Sequence, residues 1–214
     1  LLKSASDKIL NALIVLLHEK LGMTPNQIST LGFVIGTVAA VLLASGLILQ
    51  GLIVLAFSQI VDGLDGGVAR RYNLGSKQGE QLDMIYDRLN ELCVFLALAY
   101  AGEITFLIAI LAFVAILLVT ILEPYSKFDP GFKRFMLYFG YLAGVIFQIH
   151  GFMLALNVVF FANLATFMVG TIMVDYRLQQ EIDGQALLRR EQEIALGILQ
   201  PPDDPPSFLS KLFS

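Results

Sequence analysis

Charged residues are scarce. Only 15% of the 214 residues are Asp, Glu, Lys or Arg, and the formal net charge is −4. The fourteen basic residues form no long run. That pattern excludes an electrostatic nucleic-acid binder. Cysteine is scarcer still. Cys93 stands alone, so neither a disulfide framework nor a thiolate metal site is available. It lies in an apolar run and reads as packing. No stretch has the pattern of a cleavable signal. Residue 1 is Leu rather than Met, which leaves an upstream segment open.

What replaces charge is apolar surface. Hydrophobic residues make up 57% of the chain, and the mean hydropathy is +0.74. That balance lies outside the globular range and points to an all-α integral membrane protein. Length alone would allow one soluble domain, but the apolar runs recur too often for a single core.

Residues 5–21 hold an apolar core from Ile9 to Leu17, too short to span a bilayer. Lys8, Asn11 and His18 recur near helical spacing, which predicts an amphipathic helix lying in the membrane interface. This N-terminal segment takes residues 1–22. Thr24 then suits a helix N-cap, and Pro25 the first helical position. Six spans are expected, near residues 26–49, 51–72, 79–101, 104–124, 132–150 and 153–177. Together they form a transmembrane domain over 23–177. The remaining residues, 178–214, form a polar tail. In it QALLRREQEIALGIL reads as helix and PPDDPP breaks it.

Six spans put both termini on one side. The basic residues fall before the first span, around the second loop (Arg70, Arg71, Lys77, Arg88), in the fourth (Lys127, Lys133, Arg134) and after the last span. The loops near Gln50, Gly102 and Gly151 contain none. The positive-inside rule therefore predicts cytoplasmic termini and a cytoplasmic second loop.

That loop is flanked by acids. Asp62 and Asp65 lie three residues apart at the end of the second span. Asp83 and Asp87 lie four apart at the start of the third. Each pair shares a helix face. Four converging carboxylates repel one another unless a cation sits between them. Hard divalent ions, Mg2+ or Mn2+, take oxygen ligands and leave positions open for phosphate oxygens. Gly63, Gly66 and Gly67 weaken the helix where it carries charge, as close approach of a ligand to the backbone requires. Arg70 adds a fixed cation suited to phosphate. Gly79 gives clearance on the facing helix. Together these features describe a phosphoanhydride site.

Each feature has a plainer reading. A lone aspartate at a helix end is ordinarily solvated. Small residues in membrane helices ordinarily serve packing, the role expected for Gly32 with Gly36 and for Gly140 with Gly144. An EF-hand reading of DGLDGG fails on ligand spacing and on the missing closing glutamate. The number of features that coincide favours the site.

At these residues the sequence resembles the CDP-alcohol phosphotransferase family. That signature is D-x-x-D-G-x-x-A-R, a gap of about eight, then G-x-x-x-D-x-x-x-D. Here it reads Asp62-x-x-Asp65-Gly66-x-x-Ala69-Arg70, then Gly79-x-x-x-Asp83-x-x-x-Asp87. The likeness extends over about residues 5–177 and omits the tail. It implies that Asp62, Asp65, Asp83 and Asp87 hold metal, two ions in all. It implies that Asp62, Gly66, Ala69, Arg70, Gly79 and Asp83 bind CDP, and that Asp87 is the general base. The implied reaction joins a polar alcohol to the phospho-alcohol group of a CDP-alcohol, most simply CDP-diacylglycerol drawn from membrane lipid, and releases CMP. A homodimer is also implied.

Asp83-x-x-x-Asp87-Arg88 is similar to the form common among inositol-phosphate users in that family. Lys127, Lys133 and Arg134 are expected to bind an acceptor phosphate, an inositol or glycerol phosphate, or else to be ordinary positive-inside charges. A soluble donor such as CDP-inositol remains an alternative. An ion-coupled transporter is the main non-enzyme rival, but a relay needs ionisable groups through the bilayer. Here the acids cluster at one boundary.

Overall fold

The computed structural model describes residues 11–126, 134–196 and 198, and among them every regular element is a helix. Helix α1 covers residues 11–20 and closes in a π-helical turn, Leu16–Lys20. It is followed by α2 (Pro25–Ala44), α3 (Ile48–Arg71), α4 (Lys77–Tyr100), α5 (Phe106–Ser126), α6 (Phe135–Phe147) and α7 (Gly151–Ala195). The chain divides into two units, Leu1–Phe167 and Met168–Ser214.

Local chemistry sets the boundaries. Thr24 and Gln27 form a capping box: the Gln27 amide donates to Thr24 Oγ1 at 3.4 Å, and the Thr24 amide donates to Gln27 Oε1 at 2.9 Å. Pro25 occupies the first helical position, as expected. The first span ends at Ala44, five residues short of the expected 49. Gly46, at φ +77°, takes the left-handed position of a Schellman turn. Its amide donates to the Leu43 carbonyl at 3.0 Å, and the Leu47 amide to that of Leu42 at 3.0 Å. Gly102, at φ +81°, closes α4 in the same way.

Among the described residues, four helices are long and apolar enough to cross a bilayer: α2, α3, the Phe106–Glu123 part of α5, and α7. Within them only 28–39% of the apolar window is buried inside the chain. The rest presents hydrocarbon outward, which suits a lipid solvent and not water. The protein is an integral, multi-pass membrane protein. The expected third span, α4, has the length, but its first half carries the acids. The expected fifth, α6, has 13 residues, roughly 20 Å against the roughly 30 Å of a bilayer core. The expected end of the last span at 177 falls inside α7, which continues unbroken to Ala195.

Helix α2 packs against both α3 and α4, and α4 against α5. The small residues of α2 permit this. A Cβ on Gly32 would lie 3.4 Å from the Asp62 amide nitrogen, and one on Gly36 would strike the Asn90 side chain at 2.5 Å. Gly140 and Gly144 likewise let α6 meet the start of α7 at Gly151 and Ala155. The main core is apolar, built around Leu43, Leu55, Phe95, Leu98, Ile116 and Leu156, and Cys93 packs against it as expected.

Candidate active site

The last turns of α3 carry Asp62, Asp65, Gly66, Ala69 and Arg70, and the first turns of α4 carry Gly79, Asp83 and Asp87. A tight turn joins the two helices. Asn73, at φ +54°, supplies its left-handed step, and the Leu74 amide donates to the Ala69 carbonyl at 2.9 Å. Ser76 caps α4, its Oγ accepting from the Gly79 amide at 3.1 Å. Helix α2 fixes the other side. Ser58 Oγ donates to the Gly32 carbonyl at 2.8 Å, one turn before Asp62. Helix α1 covers the end of α3: Ile14 packs with Ile28, Leu64 and Val68. The Tyr72 hydroxyl donates to Glu19 Oε1 at 2.6 Å.

Asp62, Asp83 and Asp87 each offer one carboxylate oxygen, and the three lie within 4.8 Å of one another. An all-oxygen donor set at this spacing fits a hard divalent cation, whose opposed ligands stand roughly 4.2 Å apart for Mg2+ and slightly farther for larger ions. Asp83 Oδ1 is buried and has no hydrogen-bond partner among the described residues, which also fits an oxygen aimed at a cation.

Asp65 is placed differently. It is only 7% exposed and accepts hydrogen bonds from Ser29 Oγ and from the Gly66 amide. Three of the four expected carboxylates thus share one cluster, and Asp65 lies beside it, its side chain hydrogen-bonded to that of Asp83 and lining the same cavity.

Next to the trio lies a cavity of about 550 Å³, within the range of small-molecule sites. Of the six residues expected to bind CDP, Gly66, Ala69, Arg70, Gly79 and Asp83 line it; Asp62 does not. Helix α2 contributes Pro25, Asn26 and Ser29, and the turn contributes Asn73 to Ser76. The glycines divide by role. A Cβ on Gly79 would lie 2.9 Å from Asn26 Oδ1, and one on Gly66 3.2 Å from Arg70 Nη1, both on the cavity wall. The space beside Gly67, expected to admit a ligand, is filled by Ile14 Cδ1 at 2.7 Å from the Cβ position.

Arg134 reaches into the acidic cluster. It forms ion pairs with Asp87, with Asp62 at 3.6 Å and with Glu91 at 3.8 Å. Lys127 and Lys133 lie outside the described residues. Sequence reasoning missed Asn26, Ser29, the Asn73–Ser76 turn and Glu91. The α2 residues carry no charge pattern that points across space. Glu91 had a visible signal: it continues the spacing of Asp83 and Asp87 by one more turn.

Residues 22–174 match the CDP-alcohol phosphatidyltransferase family. The chain is 41% identical over 71 residues to the inner membrane protein YnjF of Escherichia coli strain K12, covering 33% of this chain and 34% of that protein. It is 38% identical over 92 residues to an archaetidylinositol phosphate synthase of Pyrococcus horikoshii, covering 41% and 48%. The chain thus spans between a third and a half of the length of these relatives. The fold is similar to that of the Mycobacterium tuberculosis phosphatidylinositol phosphate synthase, solved with CDP-DAG bound. The TM-score is 0.67 at 18% identity, over 78% of this chain and 94% of that one. The same enzyme solved with manganese and citrate gives 0.63 at 18% identity, over 73% and 85%.

Proposed function

The chain belongs to the CDP-alcohol phosphatidyltransferase family, and we propose that it transfers a phospho-alcohol group from a CDP-alcohol to a polar alcohol, releasing CMP. One observation carries this reading. A trio of carboxylates borders a nucleotide-sized cavity whose wall holds Gly66, Ala69, Arg70 and Gly79. A carboxylate trio alone fits many metal sites, and a cavity alone fits many ligands. Side by side they suit a diphosphate ester.

Asp62, Asp65, Asp83 and Asp87 would hold the divalent ions, Mg2+ or Mn2+ and two in number. These would neutralise the diphosphate and the departing CMP. The rest falls to side chains. Arg70 pairs with diphosphate oxygens from the cavity wall. Gly66 and Gly79 let the nucleotide approach the backbone. Ser29 orients the Asp65 carboxylate. Asp87 accepts the proton of the acceptor hydroxyl. The acceptor oxygen bonds to the β-phosphorus as the bond from that phosphorus to the bridging oxygen breaks, and CMP leaves with the bridging oxygen.

CDP-diacylglycerol is the favoured donor, because a lipid can keep its chains in the bilayer while its diphosphate reaches the carboxylates. A solved neighbour carries CDP-DAG. A soluble donor such as CDP-inositol is the alternative. An inositol phosphate is the favoured acceptor. Its support is Arg88 after Asp87, the basic set Lys127, Lys133 and Arg134, and relatives that are themselves named inositol phosphate synthases. Six spans with cytoplasmic termini are supported by the distribution of basic residues; an interfacial α1, from its amphipathic spacing, and a homodimer, from the family resemblance, complete the reading.

The test is CMP release from radiolabelled CDP-diacylglycerol with inositol phosphate, glycerol phosphate or serine as acceptor. Release should require Mg2+ or Mn2+ and be largest with inositol phosphate. Asp87→Asn should reduce it about 100-fold or more. Turnover without metal, or full turnover in that variant, would overturn the mechanism.

A further inference from the structure

Asp83, Asp87 and Glu91 follow one another at intervals of four along α4 and share a face. Only the first two belong to the carboxylate trio. Glu91 is 4% exposed, in a wall shared with Leu55, Val94, Phe95 and Leu137. A carboxylate buried among such neighbours needs cations. Among the described residues, Arg88 Nη1 lies at 2.8 Å and Arg134 Nε at 3.8 Å. The other end of the Arg134 guanidinium pairs with Asp87 and Asp62, both members of the trio. Arg134 therefore bridges two groups of acids. A divalent ion would contest one of them. It would leave the other alone.

We propose that Glu91 is a positioning residue. It anchors Arg134 from outside the carboxylate trio, so that a divalent ion can take Asp62 and Asp87 without releasing the arginine from the site. The physical basis is competition. A guanidinium and a metal ion repel each other and seek the same oxygens. Glu91 biases the contest toward the metal, because Arg134 gives up Asp62 and Asp87 yet keeps a buried partner. Arg134 then stands at the edge of the trio as a free fork for an anionic group on the acceptor. Arg88 sits one turn back on α4 and supplies the second cation that makes the buried Glu91 tolerable.

The acceptor part rests on the transferase reading; the metal part does not. The experiment therefore has two readouts. The first is Mn2+ affinity of the purified full chain, followed by electron paramagnetic resonance, for the wild type, Glu91→Gln, Arg134→Gln and the double variant. Arg134→Gln should tighten Mn2+ binding. Glu91→Gln should weaken it about fivefold or more in the wild type and leave it unchanged once Arg134 is gone, a coupling of ordinary size for contacting charges. If Glu91→Gln weakens Mn2+ equally in both backgrounds, the carboxylate acts by its charge alone and the positioning role is overturned. No effect in either background overturns it as well.

The second readout is the split between substrates. Glu91→Gln should raise the KM for inositol phosphate about tenfold while leaving that for CDP-diacylglycerol within about twofold, and Glu91→Asp should recover part of the loss. Equal rises in both constants would mean general loosening of the site. Thermal melts of each variant identify any that fail to fold, and Glu91→Asp then carries both readouts. A wild type that binds Mn2+ but releases no CMP would sink the transferase reading while the metal cycle still decides the fate of Glu91.

Discussion

The Ser29 hydroxyl of α2 donates to the carboxylate of Asp65 on α3, and the pair is almost wholly buried. This contact orients the Asp65 carboxylate beside those of Asp62, Asp83 and Asp87. One of its oxygens is engaged by α2 and the other by the Gly66 amide. Asp65 thus meets α2 on one side and lines the cavity with Asp83 on the other.

Ser29→Ala should cost about 1–3 kcal/mol, because it strips a donor from a buried carboxylate and leaves nothing in its place. A lower melting temperature with a raised KM for the CDP-alcohol is the expected result. An unchanged melt would show that the hydrogen bond contributes nothing to the fold.

Gly79→Ala should impair donor binding selectively. Its Cβ would lie 2.9 Å from Asn26 Oδ1 and 3.1 Å from Ser76 Oγ, on the wall of the cavity. Both neighbours must shift, and the cavity narrows. The KM for the donor should rise about tenfold with the melting temperature little changed. Adding Asn26→Ala should not restore binding if Asn26 itself contacts the nucleotide, and should restore it if crowding is the whole effect.

Gly36→Ala should act on the fold and not on the site. The new methyl would meet the buried Asn90 side chain at 2.5 Å, where α2 crosses α4. Overpacking of this kind costs about 1–3 kcal/mol. Thermal unfolding in detergent should report the loss, and Gly36→Ala combined with Asn90→Ala should recover much of it. Additive losses would place the strain elsewhere.

Tyr72 supplies a pH handle on the contact between α1 and α3. Its hydroxyl donates to Glu19, and that hydrogen bond, helped by the nearby negative charge, holds the phenol above its usual pKa. The folded state therefore binds the phenolic proton more tightly than the unfolded state. The resulting stabilisation is complete below the unfolded value of about 10. It fades as the pH rises through the folded value. Nuclear magnetic resonance titration of ring-labelled tyrosine should show the Tyr72 transition fall toward the usual value in Glu19→Gln. No movement would mean that the pair does not persist in solution.

Much of this was legible in one dimension. Asp62, Asp83, Asp87, Gly66, Ala69, Arg70 and Gly79 are drawn from two helix ends joined by a short turn, so helical periodicity suffices to gather them. Thr24 and Pro25 announce the start of α2, because capping is a local transaction between neighbouring backbone and side-chain groups. Other features were not legible. Ser29 and Asn26 enter from α2, more than thirty residues earlier than their partners in the turn and on α3, and a serine or asparagine in a helix has no pattern of its own. That the Arg134 guanidinium reaches the carboxylates of α3 and α4 was not legible either, because a loop position says nothing of what its side chain meets.

The sequence by itself therefore determined the membrane class, the start of α2 and the residue types that can grip a metal and a phosphate, since these follow from hydropathy, capping and a period of 3.6. Tertiary structure decided which aspartates meet, which one Ser29 engages, what fills the space beside Gly67, and where Arg134 points. Those outcomes depend on how far apart helix axes stand and how they are rotated, which is set by small residues such as Gly32 and Gly36 packing against particular partners, and no local pattern in the chain encodes that distance.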